Sequence, residues 1–396
     1  MKIELHILQN FPPHCLNRDD ANMPKDCQFG GFRRARISSQ CSKRAMRMYV
    51  MENQLLTPEK MAVRSKALLG KASEYLKANG RNETEAMAVV EAALGGIGLA
   101  LKEEKTQYLL YLADEGIKRF VEVCNTNWDS LREVAVLPES GDTAKGGKQK
   151  KKEAKASLDK NLQNELMGLL DGKKAVDLAL FGRMLADLPD RNVDAACQVA
   201  HAISTNEVRM EMDFYTAVDD LNTKEDTGAG MMGVIDFNSA CFYRYLVIDY
   251  DKLLANLEND TELAKKGLKA FLEAAINAIP TGKQNSMAAQ NTPSYVCAIV
   301  RDKGQPWNLA NAFVSPVRPG RGEGDDLVTK SFDRLKDQLT VLSDNYGENG
   351  KRYAGYVNLT ISSIKKKYEK GQENKEPMEL KANLDALING VMETLP

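Results

Sequence analysis

A long helix-like block splits two blocks of strand-like sequence, and any fold for this chain must accommodate that interruption. Residues 57–190 are rich in Ala, Leu, Glu and Lys, and their periodicity predicts helices over 60–79, 83–101, 108–123 and 158–188. Ahead of this block, Ile3, Leu5 and Ile7 alternate with other residues as in a strand with one buried face. A polar loop over 10–32 leads into a predicted helix at 39–53. Beyond residue 205, the runs 214–218, 231–237 and 240–248 read as strands, followed by a helix over 260–279 that Pro280 stops and a strand over 294–300. Setting the helix-like block aside, the order is strand, helix, strand, strand, helix, strand. That is the ferredoxin-like βαββαβ arrangement of the α+β class, which RNA-recognition domains also use. Two further helices, at 325–342 and 378–395, have no assigned place in it.

The net charge is −1, so total charge does not suggest a polyanionic partner, but its distribution does. Between Cys27 and Met51 there is no Asp or Glu, while Arg33, Arg34, Arg36, Lys43, Arg44 and Arg47 all fall there. On the helix at 39–53, Gln40, Lys43, Arg44 and Arg47 share one face, and Ala45, Met46 and Tyr49 share the opposite one. Gly30 and Gly31 allow close backbone approach, a helix start offers unpaired N–H groups, and the cations supply charge. These residues alone leave two readings open, a solvated basic face and a nucleic-acid interface.

Other chemistries find little support. Gly228, Gly230 and Gly233 spell a dinucleotide-type glycine pattern, yet a polar run precedes it and strand-like sequence follows, the reverse of the strand-then-helix context that motif needs. Gly95, Gly96 and Gly98 lie in helical sequence and mark a helix break or close packing. His6, His14 and His201 do not combine with Cys15, Cys27 and Cys41 in a zinc spacing, and seven cysteines without a CxxC pair imply reduced thiols. The acid pairs Asp19-Asp20 and Asp219-Asp220 are compatible with a divalent ion for phosphodiester cleavage, and equally with turn caps. No metal and no cofactor is expected. The lysine-rich run at 138–157 reads as a solvated linker or a nucleic-acid contact. No apolar run approaches the roughly 18 residues of a membrane span, so the expected location is the cytoplasm, away from membranes.

The basic segment also carries a family resemblance. Cys15-Leu16-Asn17-Arg18-Asp19-Asp20, then Phe29 through Gln40, then Lys43-Arg44-Ala45-Met46-Arg47, resemble the amino-terminal signature of the CasC family, the multicopy backbone of the type I-E CRISPR Cascade. The likeness recurs in Phe181-Gly182-Arg183-Met184, in residues 200–205 and 214–221, in Phe242-Tyr243-Arg244-Tyr245, in Gly282-Lys283-Gln284 and in Asn311-Ala312-Phe313.

The resemblance implies a right-hand architecture with an RNA-recognition-like palm, helical fingers and a β-hairpin thumb. The palm would take residues 1–56, 191–205 and 240–396 with the C-terminal helices, the fingers 57–190 and the thumb 206–239. It implies a non-enzymic protein that lines up with copies of itself along a CRISPR guide RNA (crRNA), among other Cascade subunits, and presents the guide for pairing with target DNA. Carried over by motif, Arg18, Arg34, Arg36, Ser38, Gln40, Lys43, Arg44, Arg47, Lys283 and Gln284 become guide-backbone contacts. Met184, Tyr215, Thr216 and Met232 become an apolar wedge in the guide, with Arg183 as a phosphate partner beside Met184. Core packing is the competing reading for Met184 and Met232, and cross-strand packing for Phe214 and Tyr215. The alternative function is a metal-dependent ribonuclease using the loop acids Asp19 and Asp20.

Overall fold

The computed structural model describes every residue except 100, 103–104, 107–109, 136–157, 170–174, 186–188, 218–230, 323 and 360–377. The chain forms two compact units, one of Met1–Asn53, Cys197–Tyr250 and Leu268–Pro396, the other of Gln54–Ala196 and Asp251–Gly267. The strands in chain order begin with β1 (Lys2–His14), β2 (Asp26–Phe29), β3 (Phe32–Ile37), β4 (Ala62–Ser65), β5 (Leu101–Lys102), β6 (Lys105–Thr106) and β7 (Leu110–Ala113). They continue with β8 (Cys197–Val199), β9 (Ala202–Ser204), β10 (Glu211–Ala217), β11 (Met231–Asp249), β12 (Tyr295–Arg301), β13 (Lys351–Asn358) and β14 (Glu379–Leu380).

The first unit is built on a ten-stranded sheet ordered β14-β13-β12-β1-β11-β9-β3-β2, with β8 and β10 also paired to β11. Its centre, β12-β1-β11-β9, is antiparallel throughout. Helix α1 (Ser39–Glu52) follows in the chain after β1, β2 and β3, and the helix Thr261–Asn277 joins β11 to β12. Ile3 stands opposite Ile248 and Val300, and Leu5 opposite Leu246 and Ala298, so these apolar residues fill one face.

The other face of β1 carries Glu4, His6 and Leu8, and it is buried too. The expectation of a single buried face misses this because the polar residues find internal partners. Glu4 accepts from the Arg301 guanidinium, from Tyr245 Oη at 3.1 Å and from the Trp307 N–H at 2.7 Å. Tyr243 Oη accepts the Leu309 N–H at 3.0 Å and is hydrogen-bonded to His6 Nδ1 at 2.9 Å. Burial, with Arg301 adding to it, pushes the His6 pKa down to about 3.

The helix Leu327–Tyr346 and the turn Leu309–Phe313 cover this second face. Tyr243, Tyr245, Tyr295 and Ile299 pack there with Phe313, Phe332, Leu335 and Leu339, and the Tyr295 and Phe332 rings lie 5.0 Å apart. The helix expected at 325–342 thus finds its place. Several elements of this unit depart from the sequence reading, the short strands β8, β9 and β14 among them. The hairpin β2–β3 and the strand β13 were not expected, and the strands read at 231–237 and 240–248 are one continuous strand. Gly30 and Gly31 turn the hairpin with φ of 62° and 83°, and a Cβ on Gly30 would come within 2.0 Å of the Val314 carbonyl oxygen.

In the second unit the helices Leu68–Ala78, Glu83–Gly96, Asp114–Thr126 and Lys160–Leu169 enclose a core of Leu76, Val89, Leu94, Phe120, Trp128 and Leu166. Two of the expected helices, at 60–79 and 108–123, begin instead as β4 and β7, which pair with each other. The glycine cluster at 95–98 combines both expected roles. Gly96 leaves space that Leu158 fills, and Gly98, with φ of 88°, takes the chain out of the helix.

Candidate nucleic-acid interface

Helix α1 begins where the sequence predicts because Ser38 caps it. Ser38 has extended backbone angles, and its hydroxyl accepts the Cys41 N–H at 3.3 Å. The buried stripe is Ser42, Met46 and Val50, one turn apart, rather than Ala45, Met46 and Tyr49. Tyr49 is half-buried and reaches Glu273 and Asn277 on the helix Thr261–Asn277, where burial raises its pKa. Gln40 and Arg44 are exposed, Lys43 and Arg47 half-exposed, and the first turn of α1 carries no acid.

Two loops meet α1. In the first, the Lys25 N–H donates to Asn17 O at 2.8 Å, the Asp19 N–H donates to Met23 O at 2.9 Å, and Asn17 Oδ1 accepts the Ser38 N–H at 2.8 Å. The exposed Arg18 donates to Asn22 Oδ1 at 3.2 Å. In the second, Gly282 lies against the first, since a Cβ there would come within 2.4 Å of Leu16 O. That approach brings Lys283 to the first loop, and the charges of both Arg18 and Lys283 act on the Cys15 thiol, which burial still pushes up. Arg18 and Arg44 line one cleft of about 390 Å³ together with Asn17, Met48, Tyr49 and Thr281.

Three residues carried over as backbone contacts turn out to be internal fasteners. Arg34 is 0% exposed. It donates to Ser204 O, Thr205 O, Phe313 O and Val314 O at 3.0, 2.8, 2.7 and 3.2 Å, tying β3 to the 204–205 and 313–314 segments. Ser38 is buried, with its hydroxyl used as the cap. Gln284 donates its amide to Pro280 O and Ala289 O, both at 3.1 Å, which closes the loop that presents Lys283. Arg36 is half-exposed, with Nε on Asp26 O at 3.1 Å and a second nitrogen 3.2 Å from His201 Nδ1. Burial and the positive charges of Arg36 and Lys25 hold the His201 pKa down, so the imidazole meets Arg36 as a neutral acceptor.

Of the four wedge residues, the three in the first unit do not share one face. Strand β10 and the first part of β11 form a two-stranded arm, and every residue of β10 is exposed. The register puts Thr216 opposite Met232, Phe214 opposite Val234 and Met212 opposite Asp236 on one face. Tyr215 is opposite Gly233 on the other face, with its ring over the glycine, where a Cβ would meet it at 2.5 Å. Met212, Phe214 and Met232 are 76%, 62% and 66% exposed, so core packing is not their role. The sequence reading missed Met212 and Val234 as members of this stripe, although their spacing of two from Phe214 and Met232 was the available signal. Asp219, Asp220, Gly228 and Gly230 lie outside the described residues.

Met184, in the second unit, is 83% exposed. Gly182, with φ of 75°, has no room for a side chain beside Val193 O, and the turn it makes displays Met184. Arg183 is buried and donates to Tyr111 O at 3.3 Å and Arg191 O at 2.7 Å, so it fastens that turn rather than meeting a phosphate.

The carboxylate of Asp19 is committed to its own loop, with Oδ1 accepting the Ala21 and Met23 N–H groups at 2.9 Å each. Among the described residues no group of three or more His, Cys, Asp or Glu side chains is arranged to hold a metal, and all seven cysteines are free. Gly233 lies inside β11 and opens no helix. No helix among the described residues is long and apolar enough to cross a membrane.

A family model described as CT1975-like protein matches residues 3–389. A solved chain titled "CRISPR RNA-guided surveillance complex, pre-nicking" is similar over 99% of this chain and 99% of its own, with a TM-score of 0.81 and 26% identity. Another, titled "CRISPR RNA-guided surveillance complex", is similar in fold over 100% of both chains, with a TM-score of 0.73 and 21% identity. No curated protein matches the chain.

Proposed function

The chain belongs to the CT1975-like protein family, and from that premise we propose that it is a guide-RNA-binding backbone subunit of a Cascade-type surveillance complex, of the CasC kind found in type I-E systems. The observation that carries this reading is the arm, which sets Met212, Phe214, Met232 and Val234 together on one exposed face of a two-stranded ribbon. Such a ribbon gains little stability alone and acquires a purpose when it is laid against a partner. The occupant proposed is the guide RNA together with the next copy of this chain.

The guide backbone would run along α1 and its two loops, where Arg18, Gln40, Lys43, Arg44, Arg47 and Lys283 supply charge and donors at the surface, with Arg36 beside them. Contacts of this kind hold phosphates in place and read no sequence. The four antiparallel strands β12-β1-β11-β9, with α1 and Thr261–Asn277 between them in the chain, support the ferredoxin-like palm. Unlike an RNA-recognition sheet, which stacks bases on exposed aromatics, this one has Tyr243, Tyr245 and Tyr295 buried under the helix Leu327–Tyr346. Base contacts are therefore assigned to the arm, with Met232 and Thr216 on the inserted face. Target DNA would enter by pairing with the guide, and no cleavage by the chain itself is proposed.

The test is the mass of the protein with and without a guide RNA. Several chains per RNA are expected, and a persistent one-to-one complex would refute the assembly.

A further inference from the structure

The arm concentrates exposed thioethers. Met212, Met231 and Met232 are 76%, 57% and 66% exposed, whereas Met46, Met61 and Met378 are buried. The sulfur of an exposed methionine attacks one oxygen of a hydroperoxide, an S–O bond forms as the O–O bond breaks, that oxygen becomes the sulfoxide and the other leaves as water when the reactant is hydrogen peroxide. The sulfur gives up two electrons, and a sulfoxide reductase restores the thioether. Each event replaces an apolar side chain with a polar one, and two of the three sites lie in the stripe of Met212, Phe214, Met232 and Val234.

We infer that Met212, Met231 and Met232 form a reversible oxidation site through which peroxide disables the arm of an unassembled chain. The consequence rests on the proposed role of the arm in assembly, while the chemistry does not. An arm covered by its partners is shielded, so chains already assembled would be spared and new assembly blocked.

The experiment treats the free protein with increasing hydrogen peroxide and maps sulfoxides by peptide mass spectrometry. The arm methionines should react at least about tenfold faster than Met46 and Met61, which become accessible only through opening of the core. The oxidised protein should then load fewer chains on a guide RNA, and reductase treatment should restore the number. A Met212→Leu, Met231→Leu, Met232→Leu variant, compared with itself before and after peroxide, should keep whatever loading it has, since leucine has no sulfur to oxidise. Met184→Leu alone, off the arm, should not. Arm methionines no faster than core ones, or full loading by a chain oxidised on the arm, overturns the inference. Failure of untreated protein to assemble strikes the guide reading instead, and the reaction order on the free protein then decides this one.

Discussion

Replacing Arg34 with Met separates a structural fastener from an RNA contact. The guanidinium serves four backbone carbonyls and faces no carboxylate among its hydrogen-bond partners. Burial lowers its pKa, which shows that the buried charge is costly in itself. Removing it strands the carbonyls of Ser204, Thr205 and Phe313, at about 1–3 kcal/mol for each acceptor left dry. Against this, a methionine carries no charge out of water, which returns several kcal/mol. The difference comes to about 3 kcal/mol of lost stability, or a melting temperature lower by about 6–12 °C for a body of this size. Thermal unfolding of the free protein reads the loss directly. Below the melting temperature of the variant, the salt dependence of RNA binding should be unchanged, because no phosphate contact has been removed. A variant that melts like the parent but binds RNA with a shallower salt slope would return Arg34 to the guide interface.

Changing Arg18, Arg44 and Lys283 together to Ala should weaken RNA binding about equally for unrelated sequences and reduce the salt slope of log affinity by about 2, at roughly 0.7 per lost single-strand contact. An unchanged slope in a folded variant puts the strand on another surface. Asp19→Asn should leave the protein without RNA cleavage in magnesium or manganese, as before the change. Cleavage by the parent that this variant abolishes would establish the nuclease reading. Acid should unfold the first unit early, because burial depresses the pKa of His6 to about 3 and of His14 to about 4. The unfolded chain binds these protons near pH 6.5 and the folded chain does not, so stability holds above that pH and falls below it by about 1.4 kcal/mol per pH unit per histidine. A denaturant midpoint flat between pH 7 and 5 would contradict this, and His14→Phe should flatten the curve in part.

Local signals were the legible ones. Helix α1 could be placed at 39–53 because its periodicity and its Ser38 cap lie within a few residues of each other. The basic surface was legible as an acid-free run, but which of its arginines reach solvent was not. Arg34 and Arg36 look alike in sequence, and the acceptors that bury Arg34 come from Ser204, Thr205, Phe313 and Val314, far along the chain. The hairpin β2–β3 was hidden because its outward arginines read as a charged loop, although Arg33 pairs with Asp26 across the two strands. Strand β13 was hidden by its lysine and glycine content. A Cβ on Gly355 would meet the Tyr353 hydroxyl at 2.3 Å and Leu387 at 3.1 Å, so a larger residue there would have to displace these side chains.

The arm and the centre of the sheet are one strand, and this bears on how the proposed repeating assembly would keep its geometry. Strand β11 runs from Met231 to Asp249, about 60 Å at the usual rise, with its first third paired to β10 and the rest to β1. At the junction the register with β1 shifts between Phe11 and His14, which faces Asn238, and such a bulge bends a strand without breaking it. His14 is packed there between Phe11 and Phe242, at 5.5 and 5.4 Å. A push on the arm therefore meets the hydrogen-bonded core of the sheet rather than a flexible linker. If the arm of each copy fits the next, the direction it points is set by the register of β1 against β11. Regular spacing along a guide then follows from backbone pairing inside each chain, with no need for the RNA sequence to specify it.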